Sequence, residues 1–475
     1  MTRIPAGVAA GHPDTAAAGR DVLRAGGSAA DAAVAMVLAG CAAETIFCGL
    51  GGGGFATVYR AADRSVHCLD FFVAVPGLDG TTPAPPRDIS VTFGDVAVPY
   101  AVGGSTVAVP GVPRGTFELH RRFGRLPWPE VVAPAIRLAG TGAPVPAQHA
   151  TLLAEVAPAM LIGDGVDAYS VPDPDAPGGR RVLSAGDLLH HPGLADTFAL
   201  LAADGPEPLM TGPIGHELVA GARADGGALS IDDMAAYRVR ELPPASAALG
   251  PGTVRVRDND LDHLADTVTA LDQDAATAGG PTGVLATVRA LTGAARRAST
   301  TSVVAVDADG NACAVTHSLG LGSGIWAHGV HGNSMLGEGE LLRGTLTPGD
   351  RMGSMMVPLV ATDRDGGLLL AGGAAGGSRI RPALVQVLVA MLLRGAGTAE
   401  AVSAPRLAVA GDIVHLEPGF AGEEVAALRD AGLQIVQWPE QRPYFGGVSI
   451  AGRDGVAADP RRGGAAFGGD EVAAC

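Results

Sequence analysis

Residues 298–319 read Ala-Ser-Thr-Thr-Ser-Val-Val-Ala-Val-Asp-Ala-Asp-Gly-Asn-Ala-Cys-Ala-Val-Thr-His-Ser-Leu, and this stretch decides the fold. Two runs rich in β-branched and apolar residues, Thr300 to Val306 and Ala312 to Leu319, flank Asp309-Gly310. Such a pattern predicts a β-hairpin. With Asp309-Gly310 as a two-residue turn, facing residues have numbers summing to about 619. Ser318 then lies across from Thr301, one step from Thr300, and hydroxyls gather at one end of the pair.

Working outward, Met356–Thr362 and Gly367–Leu370 predict a second strand pair, turning near Arg364-Asp365-Gly366. Gly376-Gly377-Ser378 then leads into a helix over Pro382–Leu393. Unhindered backbone N–H groups at Gly376 and Gly377 could stabilise an oxyanion. Strand, strand, glycine turn, helix is the grammar of sheets covered by helices, an α/β layered domain. Upstream, two helices are expected within 16–40, the second opening at Ser28 with Asp31 as a capping box. The run Gly49-Leu50-Gly51-Gly52-Gly53-Gly54 fits GxGxxG but leads into a strand at Phe55–Tyr59, not a helix. It therefore predicts close backbone packing, not a dinucleotide site. Helical runs are expected around Phe117–Phe123, Val131–Leu138 and 214–224, with another opening at Ile231. Loops around short helices are expected over 141–190, and short helices plus an exposed linker over 243–297.

At 475 residues the chain allows roughly three domains or one large layered one. Its 47% hydrophobic and 17% charged residues supply a large core and argue against disorder. A net charge of −16 lacks the basic face of a nucleic-acid binder. The sequence contains no lysine, which excludes Schiff-base enzymes and P-loop NTPases. Cys41, Cys48, Cys68, Cys313 and Cys475 are sparse and without a CxxC pair, so neither a disulfide framework nor a metal site is expected. His317, His328 and His331 are expected to line a pocket or the surface. With neither a signal-like leader nor a stretch of about 20 strongly apolar residues, a cytoplasmic protein without membrane partners is expected.

An ordered set of motifs resembles the γ-glutamyltranspeptidase family of N-terminal-nucleophile hydrolases almost end to end. The set comprises Ala25-Gly26-Gly27-Ser28-Ala29-Ala30-Asp31-Ala32-Ala33, Leu50 to Phe55, Val109-Pro110-Gly111 and Asp232–Tyr237. It continues through Thr300-Thr301 with Asp307 to Asn311, Gly376-Gly377-Ser378-Arg379-Ile380, and Ala458-Asp459-Pro460-Arg461-Arg462-Gly463-Gly464. Residues 243–297 match weakly and look several tens of residues short.

The resemblance implies a four-layer αββα sandwich formed jointly by two halves of a precursor. Residues 1–299 would be the large-subunit region and 300–475 the small-subunit region. Scission between Ser299 and Thr300 would leave a heterodimer of the chain's own fragments. Thr300 would then be both nucleophile and, through its new α-amino group, base. Thr301 and Ser318 fall where the family keeps supporting hydroxyls, and Gly376 and Gly377 where it holds the oxyanion. No cofactor is implied.

The substrate clamp departs from the family pattern. Phe72 replaces the arginine that binds the glutamyl α-carboxylate. Gly353-Ser354 keeps one of two serines, Ser334 replaces a glutamine, Gly337 replaces the acid that holds the amine, and Gly320 replaces an asparagine. Glu338 is the nearest acid left, and Phe72 with Leu336 would make the pocket more apolar. The expected substrate is therefore a small molecule other than glutathione, such as a secondary-metabolite intermediate of the antibiotic-biosynthesis kind, cleaved at an amide or C–C bond. Two alternatives stand beside it: a true γ-glutamyltransferase or glutathione hydrolase, and an unprocessed, inactive scaffold paralogue.

Overall fold

The computed structural model describes residues 3–93, 96–257, 261, 263–292, 300–339, 341–342 and 344–473. Seven strands form one sheet, in the spatial order Arg240–Leu242, Ser65–Phe71, Gly53–Arg60, Ala312–Ser318, Thr301–Val306, Gly7–Ala10, Ala465–Gly468. Six form a second, in the order Pro244–Leu249, Gly252–Arg257, Leu359–Thr362, Leu368–Ala375, Gly447–Gly452, Gly455–Ala458. Neighbouring strands pair antiparallel in both. Each sheet draws strands from both sides of position 300, so the two halves of the chain share one core.

Three apolar layers hold the sandwich. Between the sheets, Val304, Val306, Ala312 and Ala314 of the first meet Val360, Ala371 and Ala451 of the second. Outside the first sheet, helices Ala29–Ala43, Val112–Phe123 and Trp128–Thr141 pack on Val303, Ala305, Cys313 and Val315. Outside the second, helices Leu264–Ala270, Gly280–Leu291, Ile380–Leu388 and Gly422–Asp430 pack on Val254, Leu359, Leu370 and Ile450. This is the expected αββα sandwich.

Helix Ala29–Ala43 is buried along its whole length, because alanines let the sheet and the outer helices approach from both sides. Its capping box forms as expected. Ser28 Oγ accepts from the Asp31 amide at 3.1 Å, and Asp31 Oδ2 accepts from the Ser28 amide at 2.9 Å. The glycine run packs backbone against backbone. A Cβ on Gly51 would lie 2.1 Å from the His331 carbonyl oxygen, and one on Gly52 would lie 2.2 Å from that of Ser318.

Three local expectations are corrected. The hairpin register is one step off, with Thr301 facing His317. Asp307 anchors a longer loop, its Oδ1 accepting from the amides of Asp309 and Asn311 at 2.9 and 3.0 Å. Continuing that register puts Ser318 opposite Thr300 itself. Within 243–297, Pro244–Leu249 and Gly252–Arg257 form an edge hairpin of the second sheet instead of a linker. The helix expected to run from Pro382 to Leu393 is α-helical over Ile380–Leu388 and widens to a π-turn over Val389–Leu393. Among the described residues, no helix is long and apolar enough to cross a membrane.

Candidate active site

Thr300 stands just before the strand Thr301–Val306, between the two sheets, and is 2% exposed. It lines a narrow cleft together with Ser318, Gly377, Glu338 and Ser354. The remaining wall is apolar: Phe72, Met335, Leu341, Met355, Met356 and Ile380. Among the described residues, no arginine belongs to that lining.

Two glycines shape the floor. Gly376 at φ +119° and Gly377 at φ +57° turn the chain from strand Leu368–Ala375 into the helical turn Gly377–Arg379. Both angles lie where a side chain is strained, and a Cβ on Gly376 would sit 3.1 Å from the Gly446 Cα. The first N–H groups of a helical turn lack intrahelical acceptors, and Gly377 lines the same cleft as Thr300.

Arg462 Nη1 donates to the Thr300 carbonyl at 3.3 Å. Burial pulls the Arg462 guanidinium down to about 10, with Asp459 and Glu44 acting in the opposite direction. It remains a cation at neutral pH. The closing Asp-Pro-Arg-Arg motif holds it there. Asp459 pairs with Arg406 at 2.6 Å and with Arg461 at 3.2 Å, and Arg461 pairs with Glu417 at 2.5 Å, all buried.

Across the cleft from Thr300, the Tyr100 hydroxyl shares a 2.6 Å hydrogen bond with Ser334 Oγ and donates to Glu338 Oε1 at 3.0 Å. Burial first, then the Glu338 carboxylate, pushes the Tyr100 hydroxyl up. Gly320 makes room for this cluster. A Cβ there would lie 2.5 Å from Ser334 Oγ, 2.6 Å from Glu338 Oε1 and 2.8 Å from Tyr100 Oη. The Gly320 amide donates to Ser318 Oγ at 3.0 Å. Phe72 is buried and stacks on Phe55, with ring centroids 5.5 Å apart. Arg257 lies over the other ring, 3.7 Å from the Phe55 centroid, and donates to the carbonyls of Ser354 and Met356 at 2.8 and 3.0 Å. It braces the back of the apolar wall.

The structure thus brings together Thr300, Ser318, Gly377, Phe72, Glu338 and Ser354, with Gly376, Gly320 and Ser334 immediately behind them. It does not bring Thr301 in. Thr301 faces the helix side of the sheet, where its hydroxyl donates to Glu44 Oε2 at 2.6 Å. Gly353 is not part of the lining, and Leu336 packs into the second core while Met335 takes the pocket wall. Ser299 lies outside the described residues. Arg351, the cation beside Asp70, reaches Asp70 Oδ1 at 3.2 Å and covers the Tyr237 ring. Sequence reasoning missed Tyr100, on a separate two-stranded hairpin, Arg257, brought in by pairing in the second sheet, and Glu44, which caps the end of helix Ala29–Ala43. Arg462 was visible as part of a motif, but its contact with Thr300 was not.

Comparison with known proteins gives a consistent picture. The family model described as gamma-glutamyltranspeptidase matches residues 15–260 and 256–469. The chain is 29% identical to an acylase ACY 1 proenzyme of Pseudomonas sp. (strain V22), over 91% of this chain and 87% of that one. It is 26% identical to the glutathione hydrolase 5 proenzyme of Rattus norvegicus, over 95% and 90%. The crystal structure of a cephalosporin acylase from Bacillus halodurans superposes with a TM-score of 0.80 at 23% identity, covering 98% of this chain and 96% of that one.

Proposed function

Because the chain belongs to the γ-glutamyltranspeptidase family and is an enzyme of that hydrolase and acyltransferase class, we propose that it matures by scission before Thr300 and acts as an acylase on amides of an apolar acyl group. The observation that carries this reading is the setting of Thr300: buried, opposite Ser318, beside the Gly377 turn, in a cavity walled by Phe72 and three methionines.

In the precursor, Thr300 Oγ attacks the carbonyl of residue 299, and the ester formed hydrolyses to leave a free α-amino group on Thr300. That amine, with an ordinary pKa near ~8, takes the proton of its own Oγ as the hydroxyl attacks the substrate amide. The tetrahedral oxyanion is held by the N–H groups at Gly376 and Gly377. Proton return to the leaving amine gives an acyl-enzyme on Thr300 Oγ, which water or an acceptor amine resolves. Arg462 fixes the Thr300 carbonyl, and Ser318 supports the nucleophile from the facing strand. The two fragments remain together as a heterodimer.

The glutamate clamp is the discriminating feature. With phenylalanine at position 72, the described cavity wall offers an α-carboxylate no bidentate partner, and a buried carboxylate without a partner is costly. Glu338 with Tyr100 offers one polar end for an amine or hydroxyl; the rest of the wall suits an apolar acyl group of the sort secondary metabolites carry. The relatives named acylase support the amide reading. The test has two readouts. Intact mass of freshly purified protein should show two fragments meeting at 299/300. Turnover of an apolar acyl anilide should exceed that of a γ-glutamyl anilide. Preference for the γ-glutamyl compound would favour the glutathione-hydrolase reading, and a single uncut, inactive chain would favour a scaffold.

A further inference from the structure

On the helix side of the same hairpin lies a second cluster that the acylase chemistry does not use. Cys41 comes from the end of helix Ala29–Ala43, Cys48 from the loop that follows, and His317 from strand Ala312–Ser318. All three are buried, and one sulfur or ring-nitrogen atom of each lies within 4.8 Å of the others. His317 is 0% exposed, yet neither ring nitrogen has a hydrogen-bond partner among the described residues. Buried polar atoms are satisfied in the large majority of cases, so a histidine with both nitrogens orphaned asks for a ligand. Glu44 Oε1 is also buried without a partner, while its Oε2 accepts from Thr301. Glu44, Cys48 and His317 converge around Gly40. A Cβ placed there would stand 3.5 Å from Glu44 Oε1, 3.6 Å from Cys48 Sγ and 3.9 Å from His317 Cε1.

We propose that Cys41, Cys48 and His317 bind one zinc-class divalent cation, as a structural site behind the strand that carries Thr300, with Glu44 turning in to complete the shell. Two sulfurs and one imidazole nitrogen stand together already, and a carboxylate oxygen closes a four-ligand set of the kind zinc favours. Binding displaces the two thiol protons to solvent and leaves Cys41 and Cys48 as thiolates on the metal. Thr301, hydrogen-bonded to the far oxygen of Glu44, orients the carboxylate from outside the ligand shell. The cation makes no contact with substrate. It ties helix, loop and strand together immediately behind the nucleophile.

The readout is metal content, so it stands or falls apart from the acylase reading. The full chain, purified with excess zinc and then freed of loose ions by gel filtration, should retain about one equivalent. Cys48→Ser should lower zinc affinity roughly tenfold or more. Cobalt loaded into the wild-type chain should show thiolate-to-metal charge-transfer absorption, which needs no variant and survives the case in which Cys48→Ser fails to fold. Wild-type protein that holds no zinc and gives no such band, or a chain whose Cys41 and Cys48 are joined as a disulfide when purified without metal and stay so when zinc and reductant are added, would overturn the proposal.

Discussion

The two faces of one hairpin, Thr301–Val306 with Ala312–Ser318, do opposite work. On the face toward the second sheet stand hydroxyls: Thr300, Ser302, Thr316 and Ser318. Ser302 Oγ and Thr316 Oγ1 share a 3.2 Å hydrogen bond, and Gly373 of the second sheet comes so close that a Cβ there would lie 2.5 Å from Ser302 Oγ. On the face toward helix Ala29–Ala43 stand Thr301, Val303, Ala305, Cys313, Val315 and His317, a packed layer that buries Glu44 and the two cysteines. Strand alternation is the whole cause of the difference. Neighbouring threonines therefore have unrelated roles, and adjacency in sequence is a poor guide to membership of a site.

The hardest test of that contrast is Thr300→Ala against Thr301→Val. Thr300→Ala should leave the chain uncut and lower acylase turnover roughly 10⁴-fold or more, measured by intact mass and by kcat. Two fragments from Thr300→Ala would place the nucleophile elsewhere. Next in size, Gly376→Ala forces a side chain into a left-handed conformation against Gly446 and displaces the oxyanion donors, so kcat should fall about 10²-fold. Ser318→Ala, on the reactive face, should lower kcat roughly tenfold while the melting temperature moves little. Thr301→Val should do the reverse. It strands a buried carboxylate oxygen of Glu44, which costs about 1–3 kcal/mol of stability, with kcat changed only a few-fold. If Thr301→Val instead removes activity without loss of stability, the division between the faces is wrong.

A further effect, on stability alone, concerns acid. Burial pushes His331 down to about 3 and His191 down to about 4. Both stay neutral in the folded protein over a range where the unfolded chain, at about 6.5, is already protonated. The unfolded state takes up more protons there, so stability falls as pH drops below about 6.5 and levels off near the folded values. Each histidine contributes about 1.4 kcal/mol per pH unit in that window. The melting temperature should fall between pH 7 and pH 5, and His331→Asn should shallow the fall.

How much of this could be read from the residues depends on the range of the interaction. The hairpin, the capping box at Ser28–Asp31 and the glycine turn at 376–377 rest on local chemistry and are legible. The register needed one fact that composition does not carry: Asp307 also accepts from the Ala29 amide at 3.0 Å, and this distant contact fixes a longer loop. The strand Pro244–Leu249 reads Pro-Ala-Ser-Ala-Ala-Leu, without a β-branched residue, and owes its conformation to pairing with Gly252–Arg257 at a sheet edge. In the candidate site, Thr300, Ser318, Phe72 and Glu338 were legible through motif order. Tyr100 was not, because nothing near it in sequence hints at Ser334 or Glu338. Nor was the Cys41, Cys48 and His317 cluster, whose members lie up to 276 residues apart and meet only when the strand lays His317 against the helix end.

The strand Gly7–Ala10 lies between Thr301–Val306 and Ala465–Gly468, hydrogen-bonded to both. A backbone break just ahead of residue 300 would thus free one end without loosening its neighbour. The early segment acts as a splint, laced along both edges to the later one. Pulling the pieces apart would mean unzipping every rung of that lacing and wetting three apolar layers at once. Dilution alone would not separate them; only denaturant would, and neither piece should refold in the other's absence.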